Sequence, residues 1–239
     1  MKSVLDPTMM QPKPLFFQGA RDTLPILIGV APFGMIYGVL AVKAGLSVAA
    51  AQGMSVFLFA GSAQFMLVQL LGAGTPWFVA VASVFIINLR HALYSASIAP
   101  YTQRLSPLWK GLLAYVLVDE VYAVTITNFE RNAARPAQHW YMLGSGLALW
   151  TGWQLGTALG IFLGAQIPEG LSLDFTLAVT FIALLVPTLK DRPMLLAAVA
   201  AGITAVAANG LPYKSGLMLA ALAGILAGLW SDRAWQKPG

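Results

Sequence analysis

Residues 47–72 read SVAAAQGMSVFLFAGSAQFMLVQLLG, a long run without a single charged side chain. A bilayer crossing needs about 20 mostly apolar residues, so this stretch is a membrane segment by length and by content. At its middle stand Gly61, Ser62, Ala63 and Gln64, three small residues and an amide. Irregular backbone at that depth is tolerated only where protein or a water-filled cavity covers it.

The remainder of the chain is built in the same way. Of 239 residues, 58% are hydrophobic and 10% charged, against about 25% charged in an average soluble domain. The apolar segments fall at about 24–42, 47–72, 76–98, 111–128, 140–166, 173–189, 194–208 and 215–230. The spacing predicts an all-α integral membrane protein, a polytopic bundle of seven or eight transmembrane helices, some of them broken or kinked. Residues 1–23 form a cytoplasmic leader, 24–230 the transport domain and 231–239 a short tail. The first apolar stretch has no small-residue cleavage site close behind it and is expected to be retained. Pro25, Pro32 and Pro187 lie inside apolar runs and are expected to kink them.

Several function classes drop out. Cysteine is absent and the two histidines, His91 and His139, are far apart in sequence, so thiolate chemistry and a histidine-based metal site are not expected. The formal charge of +5 comes from basic residues scattered singly between apolar runs, a topology signal instead of a nucleic-acid stripe. No phosphate-binding loop, Gly-x-Ser-x-Gly elbow or His-Glu-x-x-His motif occurs, and no cofactor is expected. With eight crossings and a cytoplasmic N-terminus, Lys2, Lys13, Arg21, Arg131, Arg135, Lys190, Arg192, Arg233 and Lys237 fall inside. Lys43, Arg104, Lys110 and Lys214 fall outside, which satisfies the positive-inside rule.

Polar residues inside the apolar runs mark the site. In Asn88-Leu89-Arg90-His91-Ala92-Leu93-Tyr94-Ser95, helical spacing puts Asn88, His91 and Ser95 on one face and Arg90, Tyr94 and Ser97 on the opposite one. Either this helix is buried within the bundle or it unwinds near Asn88. Asp119-Glu120 sits inside the fourth apolar segment, where each carboxylate costs about 2.5–3.5 kcal/mol on insertion scales unless it is paired or hydrated. Asp119 is expected to share a face with Tyr115 and Tyr122, and one carboxylate could pair with Arg90 while the other titrates. A purely structural Arg90 ion pair, or Arg90 snorkelling to the headgroups, is the plainer alternative. A break at Gly61–Gln64 would expose a half-helix N-terminus able to receive a substrate carboxylate.

Two further patterns concern packing. Small residues recur every fourth position at Ala148, Gly152, Gly156, Gly160 and Gly164, and again at Gly216, Ala220, Gly224 and Gly228. They read as internal helix packing, with a seam between subunits as the alternative. Trp140, Tyr141, Trp150 and Trp153 read as an interfacial aromatic belt. A weak internal echo pairs Gly45-Leu46-Ser47 with Gly170-Leu171-Ser172.

Phe59-Ala60-Gly61-Ser62-Ala63-Gln64-Phe65, Asn88-Leu89-Arg90-His91-Ala92-Leu93-Tyr94 and Asp119-Glu120-Val121-Tyr122-Ala123 together resemble the AzlC family of bacterial branched-chain amino acid permeases, over about residues 15 to 230. The resemblance implies a large subunit that exports branched-chain or related amino acids across the bacterial inner membrane beside a small AzlD-type membrane subunit. Oligomers of that heterodimer are possible. The residues then expected at the substrate are Gly61, Ser62, Gln64, Asn88, Arg90, His91 and Tyr94. For proton coupling they are Asp119 and Glu120, since burial disfavours the charged form of a carboxylate. A channel for small solutes or ions, and a non-transporting membrane scaffold, are the rival functions, with an intramembrane enzyme further behind.

Overall fold

The computed structural model describes residues 12–132, 136–166, 189, 191–211 and 215–235. Nine helices lie within them: α1 (Pro12–Lys43), α2 (Val48–Phe57), α3 (Gly61–Gly72), α4 (Trp77–Thr102), α5 (Pro107–Val116), α6 (Asp119–Arg131), α7 (Gln138–Gly164), α8 (Arg192–Ala207) and α9 (Ser215–Trp235). Among the described residues α1, α4 and α7 are long and apolar enough to cross a bilayer. The apolar segment at 173–189, with Pro187, lies almost wholly outside the described residues. Helix α1 starts at Pro12 and includes Pro25 and Pro32, so residues 12–23 of the expected leader are helical.

The chain divides into two compact units, one of Met1–Gly72 with Val84–Ile167, the other of Ala73–Ser83 with Pro168–Gly239. In the second, α8 and α9 pack antiparallel. A Cβ on Gly216 would meet Ala208, one on Gly224 would meet Ala197 and Ala201, and one on Gly228 would meet Ala197. Asp191 caps α8 by accepting the Met194 amide at 2.8 Å.

In the first unit α1 and α7 lie side by side and run in the same direction. Gly19 abuts the Tyr141 carbonyl, Gly156 abuts Ala31, Gly160 abuts Met35 and Gly164 abuts Val39. Missing Cβ atoms let the two backbones touch, which is how helices associate where no hydrophobic force draws them together. Both glycine rows therefore serve packing within the chain. Thr23 Oγ1 adds a 2.7 Å bond to Ser145 Oγ across the α1–α7 seam.

The segments at 47–72 and 111–128 are not crossings. Each breaks at its middle and folds back on itself. A Cβ on Gly72, the last residue of α3, would sit 3.5 Å from Ala44, just before α2 begins. The two outer ends of α2–α3 thus lie together, whereas a straight run over the same residues would part them by about 35 Å. Likewise Trp109 in the first turn of α5 stacks edge-on against Trp140 at 4.8 Å. The Asn132 carbonyl that follows α6 accepts from Gln138 at 3.3 Å. Both outer ends of α5–α6 therefore meet the start of α7. Helix α6 also runs parallel to α4, with Arg90 on Asp119, Tyr94 on Tyr122 and Tyr101 on Phe129. A crossing that followed α4 would run antiparallel to it.

The two re-entrant hairpins repeat one another. Each opens after a serine, Ser47 or Ser106, runs ten residues and stops at a leucine, Leu58 or Leu117. Each turns with an amide bonded two residues back, Ala60 to Leu58 and Val118 to Val116. Helices α1 and α4, which precede them, run in opposite directions, so the repeat is inverted. The hairpins consequently enter from opposite faces. This repeat differs from the echo at residues 45–47 and 170–172, whose second half lies outside the described residues.

Hairpin topology also moves the charges. Lys13, Arg21, Arg104, Lys110 and Arg131 lie at one face of this unit and Lys43 at the other. Arg104 and Lys110 thus join Arg131 instead of opposing it, because α5–α6 returns to the side it came from. The chain has no cysteine, so single cysteines at Arg104 and at Arg131 are clean probes. An impermeant maleimide should label both from the same side of oriented vesicles, and labelling from opposite sides would restore a full crossing.

Candidate functional site

The hairpin tips meet halfway along α7. Trp153, near its midpoint, is buried, stacks on Tyr37 with centroids 6.3 Å apart, and lies where a Cβ on Gly61 would fall. Trp150 donates to the Tyr115 hydroxyl at 2.8 Å. Trp153 is therefore a core residue of the tip region, and Trp150, half-buried, is bonded to the second hairpin at the middle of α7; neither lies at a helix end as an interfacial belt would need. Trp109, His139 and Trp140, clustered at the start of α7, fit that belt.

Arg90 joins the tips. Helix α4 is continuous through Asn88, so Arg90 is presented by a regular helix and not by unwound backbone. Its guanidinium pairs with Asp119, the first residue of α6, and its Nη2 donates to Ser62 Oγ, in the first turn of α3, at 2.6 Å. One cation thus holds the leading ends of both returning half-helices. His91 Nε2 stands 3.9 Å from Asp119 Oδ1. Tyr94 stacks on Tyr122 at 4.5 Å, and the Tyr122 hydroxyl donates to Ser97 at 3.0 Å. Phe59 at the first tip faces Tyr115 at the second, with centroids 6.4 Å apart.

The other expected site residues are placed differently. Gln64 is fully buried and turns back to the Met54 carbonyl at 3.4 Å, so it braces the break from behind. Gly61 is covered by the Trp153 ring. Asn88 lies two residues before Arg90 with its Oδ1 buried and without a partner. Glu120 makes no ion pair among the described residues. Tyr115 belongs to α5 and not to the helix of Asp119, because the break at Leu117–Val118 separates them.

The cluster is chemically incomplete. Asn88 Oδ1, Arg90 Nε, His91 Nε2 and Asp119 Oδ1 are all buried and have no hydrogen-bond partner. Buried polar atoms nearly always find one, and a bilayer offers no water to substitute. Three of these atoms, Arg90 Nε, Asp119 Oδ1 and His91 Nε2 at 3.9 Å from it, lie on or beside one ion pair and leave both donor and acceptor capacity unused there. Among the described residues no group of histidine, aspartate and glutamate could hold a metal ion.

Comparison with known proteins places the chain among its relatives. The family model described as "AzlC protein" matches residues 25–167. "Inner membrane protein YgaZ" of Escherichia coli strain K12 is 31% identical over 233 residues, covering 92% of this chain and 95% of that protein. An "Uncharacterized membrane protein" of Archaeoglobus fulgidus is 34% identical, over 90% of this chain and 95% of its own length. "Branched-chain amino acid transport protein AzlC" of Bacillus subtilis strain 168 is 30% identical, over 69% of this chain and 64% of its own. No solved structure matches the chain at a significant level.

Proposed function

The chain belongs to the AzlC family, and from that premise we propose that it is a secondary transporter exporting branched-chain or related amino acids across the bacterial inner membrane. The observation that carries this is the incomplete polar cluster between two inverted hairpins. A zwitterion completes it: the substrate carboxylate takes the guanidinium of Arg90 and the Ser62 hydroxyl, and its ammonium takes Asp119. Half-helix ends at the bilayer midplane are where transporters hold charged substrates. The stacked aromatic rings of Tyr94 and Tyr122, on the same two helices as Arg90 and Asp119, suit an apolar side chain.

Orientation and partners belong to the same proposal. The five basic residues at one face against Lys43 at the other support a cytoplasmic N-terminus under the positive-inside rule. A small AzlD-type subunit accompanies the chain, the transport is coupled to protons, and assemblies of the heterodimer are possible. A scaffold is disfavoured because both glycine rows are used up inside the chain.

Binding is testable without flux. Leucine at about 100 times its dissociation constant should stabilise the detergent-purified protein by about 2.7 kcal/mol, seen as a rise in Tm. The methyl ester of leucine, which lacks the carboxylate, should not. An equal rise with both compounds, or with neither, would sink the proposed pose.

A further inference from the structure

At the first hairpin tip, α2 ends in mid-membrane: the Leu58 amide takes the Met54 carbonyl at 2.8 Å, and the carbonyls beyond it point onward with no helical turn to receive them. Donors from α7 and α5 fill the gap, and α3 adds a second bond to Met54. Met54 accepts from Gln64 of α3 at 3.4 Å, Ser55 from Gln154 of α7 at 3.0 Å, and Val56 from the Tyr115 hydroxyl of α5 at 2.6 Å. The donors are themselves held. Gln52 donates to Gln154 Oε1 at 2.7 Å, Ser55 Oγ meets Thr157 at 3.0 Å, and Trp150 donates to Tyr115. The second tip has no counterpart: among the described residues no side chain donates to a carbonyl in the last turn of α5. The two tips repeat in backbone but differ in support.

We propose that Tyr115 and Gln154 are positioning residues that hold the first tip rigid, so that Ser62 stays in register with Arg90. The importance of that register rests on the substrate site proposed above. Three facts make the inference specific. Tyr115 lies on the second hairpin yet bonds backbone of the first, so it ties the tips together directly. Only three residues separate Leu58, which ends α2, from Ser62, so a shift of the carbonyls is passed to the hydroxyl that Arg90 holds. A carbonyl left without a donor inside a bilayer is strongly disfavoured, so these donors are not incidental packing.

The test uses the full chain in liposomes with Ala60→Cys as reporter, since Ala60 is buried at the tip and the chain has no cysteine of its own. Tyr115→Phe removes one hydroxyl and keeps the ring against Phe59. Gln154→Leu keeps the bulk and removes the donor. Each should raise the maleimide labelling rate of the cysteine about fivefold, the equivalent of one hydrogen bond of about 1 kcal/mol, and raise KM for leucine more than it lowers kcat. Tyr141→Phe is the control, because it loses a similar bond, 2.8 Å to Asp22, away from the tip, and should change neither readout. Unchanged labelling in both variants overturns the proposal whatever the substrate. Raised labelling with unchanged KM overturns the role in register, provided Arg90→Gln still abolishes exchange. Raised labelling in a protein that exchanges no amino acid supports the bracing of the first tip and removes the substrate proposal instead.

Discussion

Arg90→Gln is expected to abolish amino acid exchange while leaving a folded protein. The guanidinium holds Asp119 and Ser62 and, in the proposed pose, the substrate carboxylate. Losing charge-assisted bonds worth about 3 kcal/mol lowers exchange roughly 100-fold or more. The stability cost is smaller than the 3–5 kcal/mol typical of a broken buried pair, because the two side chains keep 31% and 40% of their exposure. The double variant Arg90→Gln, Asp119→Asn separates structure from transport. It removes both charges and should regain the Tm lost in Arg90→Gln, yet remain inactive in exchange. Recovered exchange in the double variant would make the pair a structural fixture.

Glu120→Gln should separate coupling from transport. Asp119 is committed to Arg90, whereas Glu120, partly buried one residue further along α6, has no ion-pair partner among the described residues. A carboxylate that no ion pair holds in its charged form is the one able to take and release a proton as the site opens to either side. Glu120→Gln is therefore expected to keep exchange of leucine for leucine but lose accumulation driven by a pH gradient. Asp119→Asn should lose both. A Glu120→Gln protein that still accumulates leucine against its gradient when a pH difference is imposed would place the coupling elsewhere.

The lipid-embedded, helical character of the chain was legible because composition alone excludes a water-solvated surface. The break ahead of Gly61 was legible from three small residues and an amide at the middle of a long apolar run. Direction was not. Hydropathy counts apolar residues, and a hairpin that enters and leaves on one face contains as many of them as a crossing. So 47–72 and 111–128 passed for spans, and Arg104 and Lys110 were assigned to the wrong face relative to Arg131. A signal for the second break was present: Asp119-Glu120 is an acidic pair of the kind that opens helices, and it opens α6. The same pair inside an apolar run also reads as mid-helix carboxylates, because two charges in lipid are costly wherever the helix begins. The repeated Leu46-Ser47 and Leu105-Ser106, each followed by ten helical residues, announced the inverted repeat only once the hairpins were seen.

Within the site, the placement of Asp119 beside Arg90 could be foreseen from charge, since two opposite charges in lipid seek each other. The contributions of Gln64 and Trp153 could not. Gln64, a substrate residue by sequence, lies behind the break, where it adds a 3.4 Å bond to the Met54 carbonyl at the end of α2. Trp153 was expected at a headgroup. Its ring instead fills the space that Gly61 leaves open, a pairing of residues too far apart in sequence for any local pattern to show.

Counterflow is the most direct measurement of the central claim, that the Arg90 cluster carries amino acids through the membrane. Purified protein in liposomes loaded with excess unlabelled leucine, with and without its small subunit, should take up labelled leucine above empty liposomes. That uptake should vanish in Arg90→Gln. Folded wild-type protein that takes up no label in either preparation, or an Arg90→Gln protein that takes up as much as wild type, would contradict it.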